Sequence, residues 1–135
     1  SLLAYDVAIV GAGVMGLNIA FQLKRRAPEM KVIVFEQANQ LGIGSSGYTT
    51  GFCRAFYSLD DTMKFALQGI KAFQNFNEYV EAPSEVKYWK TGALWMMGKT
   101  RHENMIMQQR LEAFGVQSEV LDRREASDRF PLMNF

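Results

Sequence analysis

Residues 5–16, Y-D-V-A-I-V-G-A-G-V-M-G, decide the fold, because a short β-branched run leads directly into a glycine pattern. Tyr5 to Val10 suit a buried parallel strand better than a helix of that length. Leu17 to Arg26 contain strong helix formers and stop before Pro28, which predicts a helix of about three turns. Lys31 to Glu36 form a second apolar run. The order strand, helix, strand predicts a βαβ unit.

The glycine pattern G-x-G-x-x-G lies between the first strand and the helix. Gly11 permits a tight turn, Gly13 lets the backbone approach a pyrophosphate, and Gly16 lets helix and strand pack closely. Backbone N–H groups at the helix start form an anion site for the diphosphate. The predicted cofactor-binding residues of this glycine loop (residues 11–16) are Gly11, Ala12, Gly13, Val14, Met15 and Gly16.

Glu36 lies 20 residues beyond Gly16, at the end of the second predicted strand. A carboxylate there accepts hydrogen bonds from a ribose hydroxyl and disfavours a 2′-phosphate, so NADP is the least expected dinucleotide. A simpler interpretation is that the glycines only make a turn and Glu36 is a solvated strand end. The combined pattern favours an α/β, Rossmann-like unit that binds FAD or NAD, and it does not separate the two.

The composition is that of an ordinary folded chain. Apolar residues make up 48% of it, and 15 Lys and Arg nearly balance 14 Asp and Glu, which argues against a dedicated nucleic-acid or anionic-membrane surface. Cys53 and His102 cannot build a structural zinc site, so no metal is expected. No apolar run is long enough to span a bilayer, and the first ten residues lack a basic leader. We expect a soluble protein of a reducing compartment or organelle matrix.

The residues after Glu36 predict a loop followed by helices and strands. The predicted elements are a loop over Leu41–Gly51, a helix from Asp60 or Asp61 to Pro83, a hairpin or two short strands over Val86–Met97, a helix over Arg101–Phe114, a strand over Val116–Leu121, and a short helix capped by Asp122 and Glu125. Two domains are therefore predicted. Residues 1–59 form the βαβ unit and its loop, and residues 60–135 form a peripheral helix with the start of a second, mixed-sheet substrate region.

The loop over residues 41–51, here called the serine loop, carries a resemblance to a known family. Residues 11–36, followed by Gly44-Ser45-Ser46, Thr50-Gly51 and Arg54, resemble the N-terminus of the D-amino-acid oxidase family of flavoproteins, which includes glycine, sarcosine and dimethylglycine oxidising enzymes. The likeness continues to Phe130-Pro131-Leu132. It covers the whole chain but only about the first third of a typical family member.

The resemblance implies that the cofactor is FAD. The glycine loop would hold its pyrophosphate and Glu36 its adenosine ribose. Some family members attach flavin covalently to a histidine in the loop after the second strand. This chain has Ser46, Gly47 and Tyr48 there, so attachment by that route is not expected and the FAD should be non-covalent. The other residues that the resemblance places at the cofactor are Gly44, Ser45 and Ser46 at the phosphates, Thr49, Thr50 and Gly51 near the isoalloxazine, and Arg54 near the flavin. Arg54 as a surface salt-bridge residue is an equal alternative.

Three functions are compatible with these observations. The first is the FAD-binding N-terminal part of an oxidoreductase that acts on the C–N bond of an amine or amino acid, with catalytic residues unknown. The second is a non-catalytic scaffold subunit in a larger complex, and the third is an NAD-dependent dehydrogenase. Because two strands leave a sheet edge unpaired, we expect a complementary polypeptide or a larger complex to supply the rest.

Overall fold

The computed structural model describes residues 4–97 and 99–135, and its contacts divide the chain into two units, Ser1–Phe52 and Cys53–Phe135. The prediction that the first ten residues lack a basic leader includes residues 1–3, which lie outside the described residues. The predicted functional boundary between residues 59 and 60 stays a prediction. The elements are β1 (Val7–Val10), α1 (Val14–Arg26) and β2 (Val32–Phe35) in the first unit, and α2 (Asp60–Gln74), α3 (Phe76–Val80), α4 (Arg101–Ala113) and α5 (Arg123–Arg129) in the second.

The first unit is the predicted βαβ unit, and the fold is α/β and Rossmann-like. Strands β1 and β2 pair in parallel, with Val7 opposite Val32 and Val10 opposite Phe35. Asp6 aligns the start of the pair, because its Oδ2 accepts a hydrogen bond of 2.8 Å from the backbone N–H of residue 31. Parallel pairing places the carboxyl ends of both strands at the same edge of the sheet.

Helix α1 begins at Val14, three residues before the predicted start at Leu17. The glycine loop itself makes the first turn, since the N–H of Leu17 donates to the carbonyl oxygen of Gly13 at 3.0 Å. At the other end, the Lys24 ammonium donates to the carbonyl oxygens of Pro28 and, at 2.9 Å, Met30. The predicted end of the helix at residue 26 is confirmed, with cations in its last turn as the helix dipole favours.

The single helix predicted from residue 60 or 61 to Pro83 is instead two helices, α2 and α3, separated at Asn75. The Asn75 side chain donates to the carbonyl oxygen of Lys71 at 3.1 Å, beside its own backbone N–H at 3.2 Å, and the backbone of Asn75 has non-helical angles, so α2 ends there. The predicted cap is also wrong: Leu59 occupies the N-cap position, and Asp60 and Asp61 lie in the first turn. The predicted apolar face is confirmed at Met63, which is fully buried.

The two predicted strand regions of the second unit are wrong. Residues 86–97 and 116–121 adopt no strand, and within the described residues of this unit no β-ladder forms. The Thr91 N–H instead donates to the Trp89 carbonyl oxygen at 3.1 Å, and Trp95 packs against Phe56 with ring centroids 5.5 Å apart. A segment with strand propensity forms a strand only when it pairs with a neighbour, and an isolated hairpin is at best marginally stable in water.

Helices α4 and α5 both begin with a capping box. The one predicted at Asp122 and Glu125 is confirmed, and an equivalent one joins Thr100 and Glu103. Helix α4 ends before Gly115, as predicted, and its Arg110 reaches the start of α2, where Nε donates to Asp60 Oδ1 at 2.8 Å. These contacts fix the ends of the helices independently of any sheet.

Buried apolar side chains are few. Among the described residues only Ala12, Met63 and Ala126 are buried apolar residues, whereas Val10 and Phe35, at the ends of the two strands, are exposed. None of the described helices is both long and apolar enough to cross a membrane. Residues 4–97 and 99–135 contain no group of His, Cys, Asp and Glu side chains arranged to hold a metal ion.

Candidate cofactor site at the glycine loop

The glycine loop turns the chain sharply from β1 into α1. Gly11 has φ +98°, a conformation that side-chain-bearing residues rarely adopt, and its N–H donates to the Phe35 carbonyl oxygen at 2.7 Å. Gly16 is buried in the first turns of α1, where a Cβ would lie 2.0 Å from the carbonyl oxygen of Gly11 and 3.3 Å from Ile9 Cγ2. The helix can therefore approach the strand this closely only with glycine at position 16.

Glu36 joins the end of β2 to the glycine loop. Its Oε2 accepts a 2.8 Å hydrogen bond from the N–H of Ala12, and its Oε1 accepts a 3.0 Å hydrogen bond from the N–H of Ala38. These N–H donors, that of Ala38 first and that of Ala12 second, lower the pKa of the Glu36 carboxyl below its ordinary value, against a smaller opposing effect of desolvation. The side chain is therefore an anion at neutral pH.

The serine loop lies against the start of α1. Ser46 Oγ accepts a 2.9 Å hydrogen bond from the N–H of Val14, the first residue of the helix, and the N–H of Gly42 donates to the Ala12 carbonyl oxygen at 3.3 Å. A Cβ on Gly13 would lie 3.1 Å from Ser46 Oγ. The second glycine of the pattern thus gives room to a hydroxyl group at the helix N-terminus.

A hollow of about 780 Å³ opens at the carboxyl ends of both strands. This volume lies within the range of about 300–1,000 Å³ that small-molecule and cofactor sites occupy. The lining residues come from the end of β1, the glycine loop, the end of β2 and the serine loop. They are Val10, Gly11, Gly13, Val14, Met15, Phe35, Glu36, Gln37, Ala38, Gly42, Ile43, Gly44, Ser45 and Ser46.

The structure brings most of the predicted site residues together around this hollow. Ala12 and Gly16 are buried behind the lining and hold the loop rather than face the open space. The predicted isoalloxazine neighbours Thr49, Thr50 and Gly51 are exposed residues of the first unit, and they are not among the described lining residues. Their predicted role stays a prediction.

Arg54 belongs to the second unit. Its guanidinium carbon lies 4.6 Å from the centre of the Tyr57 ring and 5.2 Å from that of Trp95, which is cation–π geometry. The aromatic rings therefore orient the Arg54 side chain. Its predicted position near a flavin stays a prediction.

Six residues that line the hollow were missing from the sequence prediction, and two of them donate hydrogen bonds within the site; the six are Val10, Phe35, Gln37, Ala38, Gly42 and Ile43. Ala38 supplies one of the two donors to Glu36, and Gly42 joins the serine loop to the glycine loop. Both act through a backbone N–H, which any residue except proline offers. The position of Ala38, two residues after the strand-end glutamate, was the one available signal.

Comparison with known proteins shows what this sequence is similar to. A family model described as DAO, FAD dependent oxidoreductase, matches residues 6–135. The mouse FAD-dependent oxidoreductase domain-containing protein 1 is 30% identical over 140 residues, which cover 96% of this chain and 28% of that protein. The mitochondrial L-2-hydroxyglutarate dehydrogenase of Caenorhabditis elegans is 32% identical over 93 residues, which cover 67% of this chain and 21% of that protein. The chain spans about a quarter of the length of these relatives, and no solved structure matches it significantly.

Proposed function

The chain belongs to the family of FAD dependent oxidoreductases, and from that premise we propose that its glycine loop holds FAD within an enzyme that oxidises the C–N bond of an amine or amino acid. The cofactor of the family is FAD, so the family match decides between the two dinucleotides that the glycine pattern left open. The observation that carries the proposal is the hollow where both strands end against the glycine loop, because open α/β sheets bind dinucleotides at that edge.

The residues around the hollow fit FAD. Helix α1 has no acidic residue in its first turn and no side-chain cap from Gly13, so its positive end suits a diphosphate. Ser46 offers a hydroxyl proton to a phosphate oxygen while its Oγ accepts from Val14. Glu36 retains lone pairs for ribose hydroxyls beyond the two that its backbone partners use.

The chemistry of the reaction belongs to the cofactor, since bound FAD supplies the acceptor for a hydride from the substrate carbon. In amine oxidation that carbon loses a hydride, the nitrogen loses a proton, and the C–N bond becomes an imine. This chain's residues bind and orient. We assign none of the described residues a catalytic acid or base role.

The sequence resemblance to glycine, sarcosine and dimethylglycine oxidising enzymes supports an amine or amino acid as substrate. A second candidate is a 2-hydroxy acid, whose C–O bond is oxidised in the same way, because several relatives bear the name L-2-hydroxyglutarate dehydrogenase. An amino acid and a 2-hydroxy acid both place an oxidisable C–H bond beside a carboxylate.

Anaerobic flavin reduction separates the two candidates. The intact FAD-loaded protein is mixed, without oxygen, with N-methylated and unmodified amino acids in one series and with L-2-hydroxyglutarate in another. We expect an amine to abolish the visible absorbance of the flavin. Reduction by the hydroxy acid alone would reject the amine proposal in favour of the second candidate, and reduction by neither would favour the scaffold alternative.

We further propose that a complementary polypeptide segment or partner covers the first unit. The side chains of Val10 and Phe35 are 88% and 53% exposed at the strand ends, and the described sheet has only two strands. Residues 1–135 expressed alone should therefore aggregate or behave as a loose oligomer, and supplying the complementary portion should give a monodisperse species. A well-folded, catalytically active monomer of these residues would contradict this proposal.

An organelle matrix is the location we propose. Several relatives carry the word mitochondrial in their names, and the proposed chemistry is compatible with that compartment. Cell fractionation with a tag at the C-terminus of the intact protein tests this. Recovery only in the cytosol would contradict it.

A further inference from the structure

Glu36 is predicted to contact ribose, yet in this structure it contacts the protein's own backbone. One carboxylate oxygen accepts from the N–H of Ala12, 24 residues earlier, and the other accepts from the N–H of Ala38. We propose that Glu36 is a positioning residue that holds the glycine loop in its binding shape before FAD arrives. The inference rests on the proposed function for the identity of the cofactor, but the loop contact itself does not depend on FAD.

Besides the hydrogen bond that the Ala12 carbonyl oxygen accepts from Gly42 at 3.3 Å, the glycine loop has few other restraints at this point. The last hydrogen bond from the loop to the neighbouring strand runs from the Gly11 N–H to the Phe35 carbonyl oxygen. Gly11 and Gly13 flank Ala12, and glycine loses more conformational entropy on ordering than any other residue. Ala12 is only 1% exposed, so without Glu36 its N–H would be buried with no acceptor. The carboxylate therefore removes a penalty that would otherwise oppose this loop conformation.

Ser46 makes a second contact of a different kind. Its hydroxyl accepts from Val14, at the helix start, where a phosphate oxygen also finds its donors. A hydroxyl can accept and donate at once, so Ser46 can remain in place and donate to a phosphate. Glu36 as an anion has no proton to donate. It lines the hollow with its carboxylate directed to Ala12 and Ala38, which restrains the loop from the side of β2.

Replacing Glu36 with glutamine distinguishes the contact of its side chain with the loop backbone from its predicted contact with ribose. In a Glu36→Gln variant the new side chain has one carbonyl oxygen and one NH₂ group, so one of the two backbone donors would face another donor. The same amide can still accept from, and donate to, a ribose hydroxyl. Glu36→Gln therefore impairs the positioning role while it retains hydrogen-bonding groups for ribose. Glu36→Ala removes both.

The experiment is amide hydrogen exchange on the intact, cofactor-free protein, followed by mass spectrometry of peptides that contain Ala12 or Ala38. Glu36→Gln should raise exchange by about tenfold in the peptide whose N–H faces the new NH₂ group, the effect of losing one hydrogen bond to a charged group, and by less in the other peptide, where a neutral amide oxygen replaces the carboxylate. Exchange in α2 should remain at the wild-type rate. Unchanged exchange at Ala12 in both the glutamine and the alanine variant would overturn the proposal.

Glu103→Gln is the matched control. Glu103 also accepts a backbone N–H with its carboxylate, that of Thr100 at 2.9 Å, but at the start of α4. This variant should raise exchange near Thr100 and leave the peptide with Ala12 unchanged. A rise at Ala12 in the control would show that loss of any such carboxylate loosens the glycine loop, which would contradict a specific role for Glu36.

A pH titration of the wild type, followed by its amide proton resonances, tests the same contact even if the variants unfold. The amide proton resonances of Ala12 and Ala38 should shift together as Glu36 is protonated, with one shared midpoint below the usual range of glutamate. No charged side chain of the described residues contributes to the shift of that midpoint; its causes are backbone hydrogen bonds and desolvation. Amide resonances that do not follow a common titration would overturn the proposal.

FAD binding gives an independent readout. In Glu36→Gln, added FAD should restore protection at Ala12, but at about tenfold higher concentration than in the wild type. A protein whose Ala12 exchange depends on Glu36 but which binds no FAD would refute the proposed function and leave the positioning role intact. A protein that binds FAD while Ala12 exchange is independent of Glu36 would refute the positioning role alone.

Discussion

Substituting alanine for Gly16 tests the contact on which the whole first unit depends. The added Cβ would lie 2.0 Å from the carbonyl oxygen of Gly11 and 3.1 Å from its carbonyl carbon, whereas ordinary contacts of a Cβ fall at 3.4–4 Å. The obstacle is backbone, which cannot rotate away as a side chain can. Either α1 moves away from β1 or the glycine loop changes shape.

The magnitude follows from two opposing effects. Overpacking of this kind costs about 3 kcal/mol, the upper end of the usual range, because a backbone atom is displaced. Alanine in a helix interior recovers about 1 kcal/mol relative to glycine. The net loss of about 2 kcal/mol corresponds to about 30-fold faster exchange of α1 amides where exchange reports local opening.

Gly69→Ala is the control for helix propensity alone. Gly69 lies within α2, and a Cβ there would have no atom within 4 Å. Alanine should stabilise α2 by about 1 kcal/mol relative to glycine, and amide exchange in α2 should slow by the corresponding factor. Amide exchange of the intact protein, read separately over α1 and α2, makes the measurement. A Gly16→Ala variant that is as protected as the wild type, or more so, would refute the packing argument.

Three further outcomes are expected. Thr100→Ala should destabilise α4 by about 1 kcal/mol, because the capping hydroxyl is lost, and amide exchange in the first turn of α4 should report it. Gly13→Val should abolish FAD binding in a fluorescence titration, since its Cβ alone would lie 3.1 Å from Ser46 Oγ and its branches would occupy the phosphate position. Because the folded-state pKa of Glu36 is lowered, its contribution is present above the ordinary glutamate range and is lost as pH falls through the lowered value. FAD retention should therefore show no glutamate-dependent change between about pH 5 and 8, and a titration midpoint within that window would contradict the assignment.

The first unit could be predicted closely from the sequence because local and non-local signals agree there. The apolar runs before Gly11 and before Glu36 each predict a strand, and the spacing between them is that of a crossover helix. Gly16 was predicted to allow close packing, and the structure confirms that a side chain there would meet backbone. The start of α1 was predicted too late, because the glycine pattern was interpreted as a loop through Gly16, whereas Val14, Met15 and Gly16 already belong to the first helical turn.

The second unit shows where sequence patterns stop being informative. The capping box at Asp122 and the end of α4 before Gly115 are local features, and both were predicted correctly. The strand pattern around Trp95 depends on a partner that local sequence cannot supply. The helix break at Asn75 comes with a hydrogen bond from its side chain to the Lys71 carbonyl oxygen, which the spacing of apolar residues does not reveal. The loop contact of Glu36 was missed because its donors are backbone N–H groups, which leave no trace in residue type.

The identity of the dinucleotide that the intact protein carries decides whether the glycine loop holds FAD. The purified native protein is precipitated with acid, and the supernatant is analysed by absorbance and chromatography, with Gly13→Val prepared in parallel. We expect free FAD in the wild-type supernatant, none bound covalently in the pellet, and none in the variant. NAD alone, no dinucleotide, or equal amounts of FAD from both proteins would contradict the claim that this glycine loop holds non-covalent FAD.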